Sequence, residues 1–155
     1  LVVGADQLLC GLNRTRTAYN RRIRSLKGLV GAAETWHPTA GDKQLFNGAM
    51  FHADEVGDKF RCFGIEATSL DEERDPLTLE VAEEFFNGTE HTIDWRERRK
   101  YDEFTFGWAI TCHKSQGSQW DNVIVFDESG AFRDARSNWL YTAVTRAAER
   151  VTVVV

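Results

Sequence analysis

The chain has 155 residues, 42% of them hydrophobic and 28% charged, with a formal net charge of −5. That is enough for one ordinary domain, or a small domain carrying an insertion, and it is the balance of a soluble globular protein. It argues against a uniformly basic nucleic-acid binder, and no apolar run approaches the length a helix needs to cross a bilayer.

There is no basic-then-apolar leader, so nothing points to secretion. The three cysteines, Cys10, Cys62 and Cys112, are far apart with no Cys-x-x-Cys pair. They read as reduced thiols of a cytoplasmic protein, not as a disulfide or zinc framework. The chain opens on Leu1, holds its one methionine at Met50 and stops inside a β-type run at 151–155. We therefore expect a piece of a longer protein, whose function needs the remainder. Charge is uneven: six basic residues and no acid lie between Arg14 and Lys27, whereas nine acids and only Arg74 lie between Glu66 and Glu90. A local basic face can hold phosphates while the rest of the surface stays acidic.

In chain order, Gln7-Leu8-Leu9-Cys10 predicts a strand leading into Gly11. Asn13 or Thr15 can cap a helix running to about Leu26 and closed by Gly28, with Ala18, Tyr19, Ile23 and Leu26 as its apolar stripe. Strand-then-helix is the unit of an α/β layer. From Gly41 the texture changes. Two short strands are expected around an Asn47-Gly48 turn, and a third over residues 60–68. Asp75-Pro76 predicts the start of a helix through Phe86, stopped by Gly88. Residues 92–95 read as another strand, followed by the charged connector Arg96-Glu97-Arg98-Arg99-Lys100. After Tyr101 the α/β texture returns. Residues 104–116 are ambiguous, with a helix favoured over the second half. A buried strand is expected at 123–126, a helix at 138–146 capped by Ser137, and a second buried strand at 151–155. Continuous β-branched runs of this kind suit a parallel sheet covered on both faces.

Two segments carry the chemistry. The first is Ile110-Thr111-Cys112-His113-Lys114-Ser115-Gln116-Gly117-Ser118-Gln119-Trp120-Asp121, a polar stretch wedged between apolar runs. The second is Tyr141-Thr142-Ala143-Val144-Thr145-Arg146-Ala147-Ala148. Together they resemble motifs V and VI of superfamily 1 helicases, in the form found in the RecD-like branch. Gly11-Leu12-Asn13-Arg14-Thr15-Arg16 is similar to that branch's segment after motif IV, and Leu45-Phe46-Asn47-Gly48 resembles the entry to its SH3-like insertion. The likeness covers nearly the whole chain in the right order.

The resemblance implies an α/β fold: a RecA-like parallel sheet flanked by helices and interrupted by a small β-rich, SH3-like insertion. Residues 1–40 and 101–155 would form the second RecA-like domain, and 41–100 the insertion. It implies part of an ATP-dependent DNA helicase, with Arg146 as the arginine finger that stabilises charge on the departing phosphoryl group. Thr111, His113 and Lys114 would contact single-stranded DNA through phosphate oxygens. Gln116, Gly117 and Gln119 would lie toward the nucleotide, Gly117 permitting close backbone approach. The family often has Glu where this chain has Gln119; an amide can still bond a ribose hydroxyl. Asn13, Arg14 and Arg16 stand at a helix start, a position that suits anions, whether DNA phosphates, nucleotide or a partner domain.

No Gly-x-x-x-x-Gly-Lys-Ser/Thr phosphate loop occurs in the sequence. Phe126-Asp127-Glu128 has a superficial likeness to a magnesium-binding Asp-Glu pair but follows motif V. The phosphate loop and the Mg2+ ligands are thus expected in a missing N-terminal RecA-like domain, and ATP hydrolysis is not expected of these residues alone. Partners implied are single-stranded DNA, that missing domain, and recombination, repair or exodeoxyribonuclease subunits. The alternatives are a non-enzymatic DNA- or protein-binding module, in which Phe46, Phe51, Phe63 and Trp95 stack on bases or build the module's own core, and a nuclease using Asp94, Glu97 and Lys100. The last set lies in a charged connector with no supporting strand pattern.

Overall fold

The computed structural model describes residues 4–27, 35–40, 50–59, 62–70 and 75–155. In chain order the elements are β1 (Gln7–Cys10), α1 (Asn13–Lys27), β2 (Thr35–Ala40), β3 (Phe51–Lys59), β4 (Cys62–Ser69) and β5 (Leu77–Ala82). They continue with α2 (Glu83–Asn87), a 3-10 turn (Glu90–Thr92), α3 (Trp95–Arg98), β6 (Glu103–Phe106), β7 (Ala109–Thr111) and β8 (Trp120–Phe126). A 3-10 segment (Ser129–Ala135), α4 (Arg136–Val144) and β9 (Ala147–Val154) complete the described chain. Contacts divide it into two units, Leu1–Lys27 with Trp108–Val155, and Gly28–Gly107.

The first unit is a four-stranded sheet in the order β7-β1-β8-β9, every pair parallel. Register explains why its strands are apolar throughout. Leu8 lies beside Ala109 and Ile124 on one face, Leu9 beside Ile110 and Val125 on the other. The first face packs on α1 through Ile23, with Tyr19, Trp108 and Phe126 around it. The second packs on α4 through Trp139 and Ala143, with Trp120, Phe132 and Leu140. A sheet covered on both sides needs apolar residues at successive positions, and each fully buried leucine is worth roughly 1.5–3 kcal/mol. The sheet therefore bears out the α/β expectation.

Helix α1 differs from the expected stripe. Its buried residues are Arg16, Asn20 and Ile23, while Leu26 is 53% exposed. Asn20 takes a strand's role: its Nδ2 donates to the Ala109 carbonyl at 2.9 Å, and the Ala109 N–H donates to its Oδ1 at 2.7 Å. Lys27, the last residue of α1, places its ammonium 4.2 Å from the centre of the Trp108 ring. Trp108 in turn accepts, through its carbonyl, a hydrogen bond from Gln7 Nε2 at 3.2 Å.

The second unit holds a five-stranded antiparallel sheet in the order β5-β4-β3-β2-β6. Phe51 and Phe104 meet edge to face at 5.6 Å, and Phe63 meets Phe86 at 6.0 Å. Phe51 and Phe63 thus serve this unit's packing, and Phe46 with the Asn47-Gly48 turn lies outside the described residues.

Five local expectations are corrected. The predicted helix after Pro76 is strand β5, because Leu79 and Val81 are buried while Thr78 and Glu80 are exposed, a period of two rather than 3.6. Helix begins only at Glu83, and Gly88 stops it in the left-handed conformation at φ 70°. The strand expected at 92–95 is instead a 3-10 turn followed by α3, whose start Asp94 caps by accepting from the Arg96 N–H at 2.9 Å. The helix favoured in the second half of 104–116 is absent: β6 and β7 are followed by tight turns. Strand β9 forms but is not buried, Val151 and Val153 being 40% and 41% exposed. Helix α4 starts at Arg136, one residue before its expected cap, with Ser137 inside it.

Candidate functional site

Strands β7 and β8 both run parallel to β1, so the loop joining them must travel from the carboxyl edge of the sheet back to its amino edge. That loop is the polar stretch singled out in the sequence. It is wound from turns. The Thr111 carbonyl accepts from the Lys114 and Ser115 N–H groups at 2.8 and 3.2 Å, and the Ser115 carbonyl accepts from Ser118 N–H at 3.1 Å. Ser115 is fully buried and its hydroxyl donates to the Cys112 carbonyl at 2.8 Å. Gly117 stands at φ 93°, a conformation L side chains rarely adopt. With seven residues in β8, the loop's two ends lie roughly 20 Å apart along the strands.

The expected site residues distribute along this path. Thr111, 7% exposed, closes β7 at the carboxyl edge, and exposed His113 follows it. Lys114 is half-buried; Gln116, Gly117 and Gln119 are exposed on the way to the amino edge. There Arg146 meets the loop. Its Nη1 donates to the Ser118 carbonyl at 3.2 Å, its Nε to the Thr142 carbonyl at 3.2 Å and its Nη2 to Thr145 Oγ1 at 3.3 Å. In return the Arg146 carbonyl accepts from the Trp120 N–H at 2.9 Å. The two segments, distant in sequence, are joined at this point. All three guanidinium partners are neutral oxygens, so they leave the positive charge uncancelled. A half-buried guanidinium against a loop that carries two exposed amides is a donor set suited to an anion such as a phosphate.

The third expected group lies at the carboxyl edge, where β1 hands over to α1. Asn13 and Arg14 are exposed there, while Arg16 is 7% exposed and faces inward. The anion position at this helix start is filled by the chain itself. Glu128 Oε2 accepts from the N–H groups of Gly11 and Leu12 at 2.8 and 3.0 Å, and Oε1 accepts from Thr15 Oγ1 at 2.6 Å. The carboxylate satisfies free N–H groups and the positive end of the helix dipole. The residue that resembled half of a magnesium pair in the sequence is a helix cap. Burial, and secondarily the Glu128 charge, pushes the Cys10 thiol up to about 12.

Behind the loop, the His113 ring sits 5.4 Å from Phe132, and Phe132 stacks on Trp139 at 5.4 Å and 11° between planes. Sequence reasoning missed Glu128 and Phe132 as partners of the site. Only the sequence proximity of Glu128 to the end of β8 offered a signal.

Elsewhere, Trp95 is 59% exposed, with the guanidinium carbons of Arg96 and Arg99 at 5.2 and 5.0 Å from its ring. The carboxylates weighed for a nuclease have other partners. Asp94 caps α3 and Glu97 pairs with Lys100 at 2.7 Å.

Residues 106–154 match the family described as UvrD-like helicase C-terminal domain. An uncharacterized protein of Methanocaldococcus jannaschii is 45% identical over 53 residues, 34% of this chain and 4% of that protein. The fold is similar to the Pif1 helicase of Candida albicans, at a TM-score of 0.59 and 14% identity, over 96% of this chain and 44% of that one. It is also similar to a Bacteroides Pif1 helicase in complex with ADP-AlF3 and single-stranded DNA, at 0.56 and 12%, over 96% and 40% of the two chains. The architecture is thus a RecA-like parallel sheet of the kind found in helicases, accompanied by a separate antiparallel sheet. The chain spans less than half the length of these two structures.

Proposed function

We propose that this chain is the C-terminal part of an ATP-dependent DNA helicase of superfamily 1, within its RecD-like branch. The second RecA-like domain, expected at 1–40 and 101–155, narrows to 1–27 and 108–155, and the SH3-like insertion, expected at 41–100, widens to 28–107, since β2 and β6 pair within the antiparallel sheet. One observation supports this reading above the others. The loop following β7 runs from edge to edge of the sheet and is gripped at its far end by Arg146 through the Ser118 carbonyl. A motor needs such a span, because it must couple hydrolysis at one place to a grip on DNA at another.

In this reading Arg146 is the arginine finger. Its rigid seat on Thr142, Ser118 and Thr145 holds a fork of donors ready for charge that accumulates on the phosphoryl group during transfer. Gln116, Gly117 and Gln119 border the nucleotide. Thr111, His113 and Lys114, with Asn13 and Arg14, face single-stranded DNA. Arg16, being buried, supports the helix start instead of reaching a phosphate. Mg2+ bound with ATP would neutralise the phosphates through ligands on the N-terminal RecA-like domain, which also brings the phosphate loop. Recombination, repair or exodeoxyribonuclease subunits are the partners of the whole protein, and the cytoplasm its compartment.

The test is Arg146→Ala in the full-length protein. DNA-stimulated hydrolysis should fall about a thousandfold, with affinity for single-stranded DNA kept within a few-fold. Unchanged turnover would sink the motor reading and favour a non-enzymatic binding module.

A further inference from the structure

In the contact between His113 and Phe132 the histidine is the exposed partner. It stands on a turn, whereas Phe132 is held from several sides. Phe132 lies in the 3-10 segment between β8 and α4. Its anchors are specific. Glu128, four residues earlier, accepts two hydrogen bonds from the turn between β1 and α1 and a third from Thr15 in α1. Gly11 in that turn lies directly beneath. A Cβ there would come within 2.9 Å of both Glu128 Cβ and the Phe132 ring. Ser129 is tied to both sides, donating from its N–H to Asp127 Oδ1 at 2.9 Å and accepting from Arg136 Nε at 3.1 Å. Phe132 also stacks on Trp139, 4% exposed, in the helix that leads to Thr145 and Arg146.

We propose that Phe132 is a positioning residue: it fixes the His113 ring at the carboxyl edge and ties it, through Trp139, to the helix that precedes Arg146. This rests on the reading of His113 as a contact to single-stranded DNA. An imidazole on a turn has two free torsions. An aromatic face against it removes orientations that point away from the edge, so less ordering is left to be done when a phosphate or base arrives. The stack onto Trp139 gives the same side chain a rigid link to α4, so movement of His113 and movement of the Arg146 segment share one packed element.

The experiment uses the full-length protein and a fluorescein-labelled oligothymidylate. Phe132→Leu keeps an apolar side chain but removes the ring, and should weaken the oligonucleotide Kd by about three- to tenfold. Phe132→Tyr should restore it. In a His113→Ala background, Phe132→Leu should add less than a further twofold, because the ring then has nothing to position. Wild-type affinity for Phe132→Leu, or a fully additive loss in the double variant, overturns the proposal. In the unaltered protein, the His113 ring protons should be displaced by the Phe132 ring current, and resonances at the positions of a free histidine also overturn it, even if the leucine variant fails to fold. An unaltered protein that binds no oligonucleotide sinks the functional reading itself, a failure distinct from either of these.

Discussion

Asn20 and Ala109 exchange two hydrogen bonds, side-chain amide to strand backbone, at 2.9 and 2.7 Å. In this way α1 supplies an edge strand with the pairing that a further strand would otherwise give, and it does so where Asn20 is only 2% exposed. Removing the amide leaves a buried N–H and a buried carbonyl without these partners. Asn20→Leu in the 155-residue chain should therefore cost about 2–4 kcal/mol, read as a lower urea midpoint at unchanged slope. A midpoint like that of the parent would show that the pairing contributes nothing net.

Two glycines should respond differently to the same methyl group. At Gly11 the obstacle is packing, since the new Cβ would lie 2.9 Å from Glu128 Cβ and from the Phe132 ring. At Gly117 the space is open and the obstacle is the backbone, held at φ 93°. Gly11→Ala should lose about 1–3 kcal/mol by overpacking, and Gly117→Ala about 1 kcal/mol by strain. Thermal unfolding of both variants checks the order. The prediction fails if Gly117→Ala is the more damaging.

Glu128 does within the chain what a bound anion does at other helix starts. Glu128→Ala should destabilise by about 2–3 kcal/mol through loss of charge-assisted hydrogen bonds. It should also open the site to an external anion. Replacing chloride by sulfate at equal ionic strength should then raise the melting temperature of the variant more than that of the parent. Equal shifts would mean that the helix start stays closed without the carboxylate.

Cys10 links stability to alkaline pH. Its folded value of about 12 lies above the ordinary 9.0, because burial penalises the thiolate. The unfolded chain therefore releases its proton first as pH rises. The stabilisation is complete below pH 9 and is lost across the window from 9 to 12, at about 1.4 kcal/mol per pH unit. Cys10→Ala should flatten that part of the stability profile. In the native chain, iodoacetamide should label Cys62, which is partly exposed, well before the buried Cys10 and Cys112. Equal labelling rates, or an unchanged profile for the alanine variant, would refute this account.

The parallel sheet was legible because burial on both faces imposes continuous apolar runs, as at Gln7–Cys10 and in the second half of β8. Strand β5 was not, because the Asp75-Pro76 helix-start signal is local while the alternation of Leu77, Leu79 and Val81 against their neighbours only acquires meaning beside β4. The two motif segments announced themselves by residue type. Their meeting through Arg146 and Ser118 did not, since the acceptor is a backbone carbonyl, which every residue possesses. The role of Glu128 stayed hidden for a related reason. A carboxylate after a strand looks the same in sequence whether it holds a metal, a base or a helix start.

The chain leaves the parallel unit at Lys27 and re-enters it at Trp108, and the ammonium of one rests on the ring of the other. The two residues of the parallel unit that flank the intervening segment in sequence thus meet within that unit. Such an arrangement lets the inserted module change in length, charge or sequence without altering the register of the parallel strands. It also makes the Lys27–Trp108 pair the natural point for grafting a different module onto the same sheet.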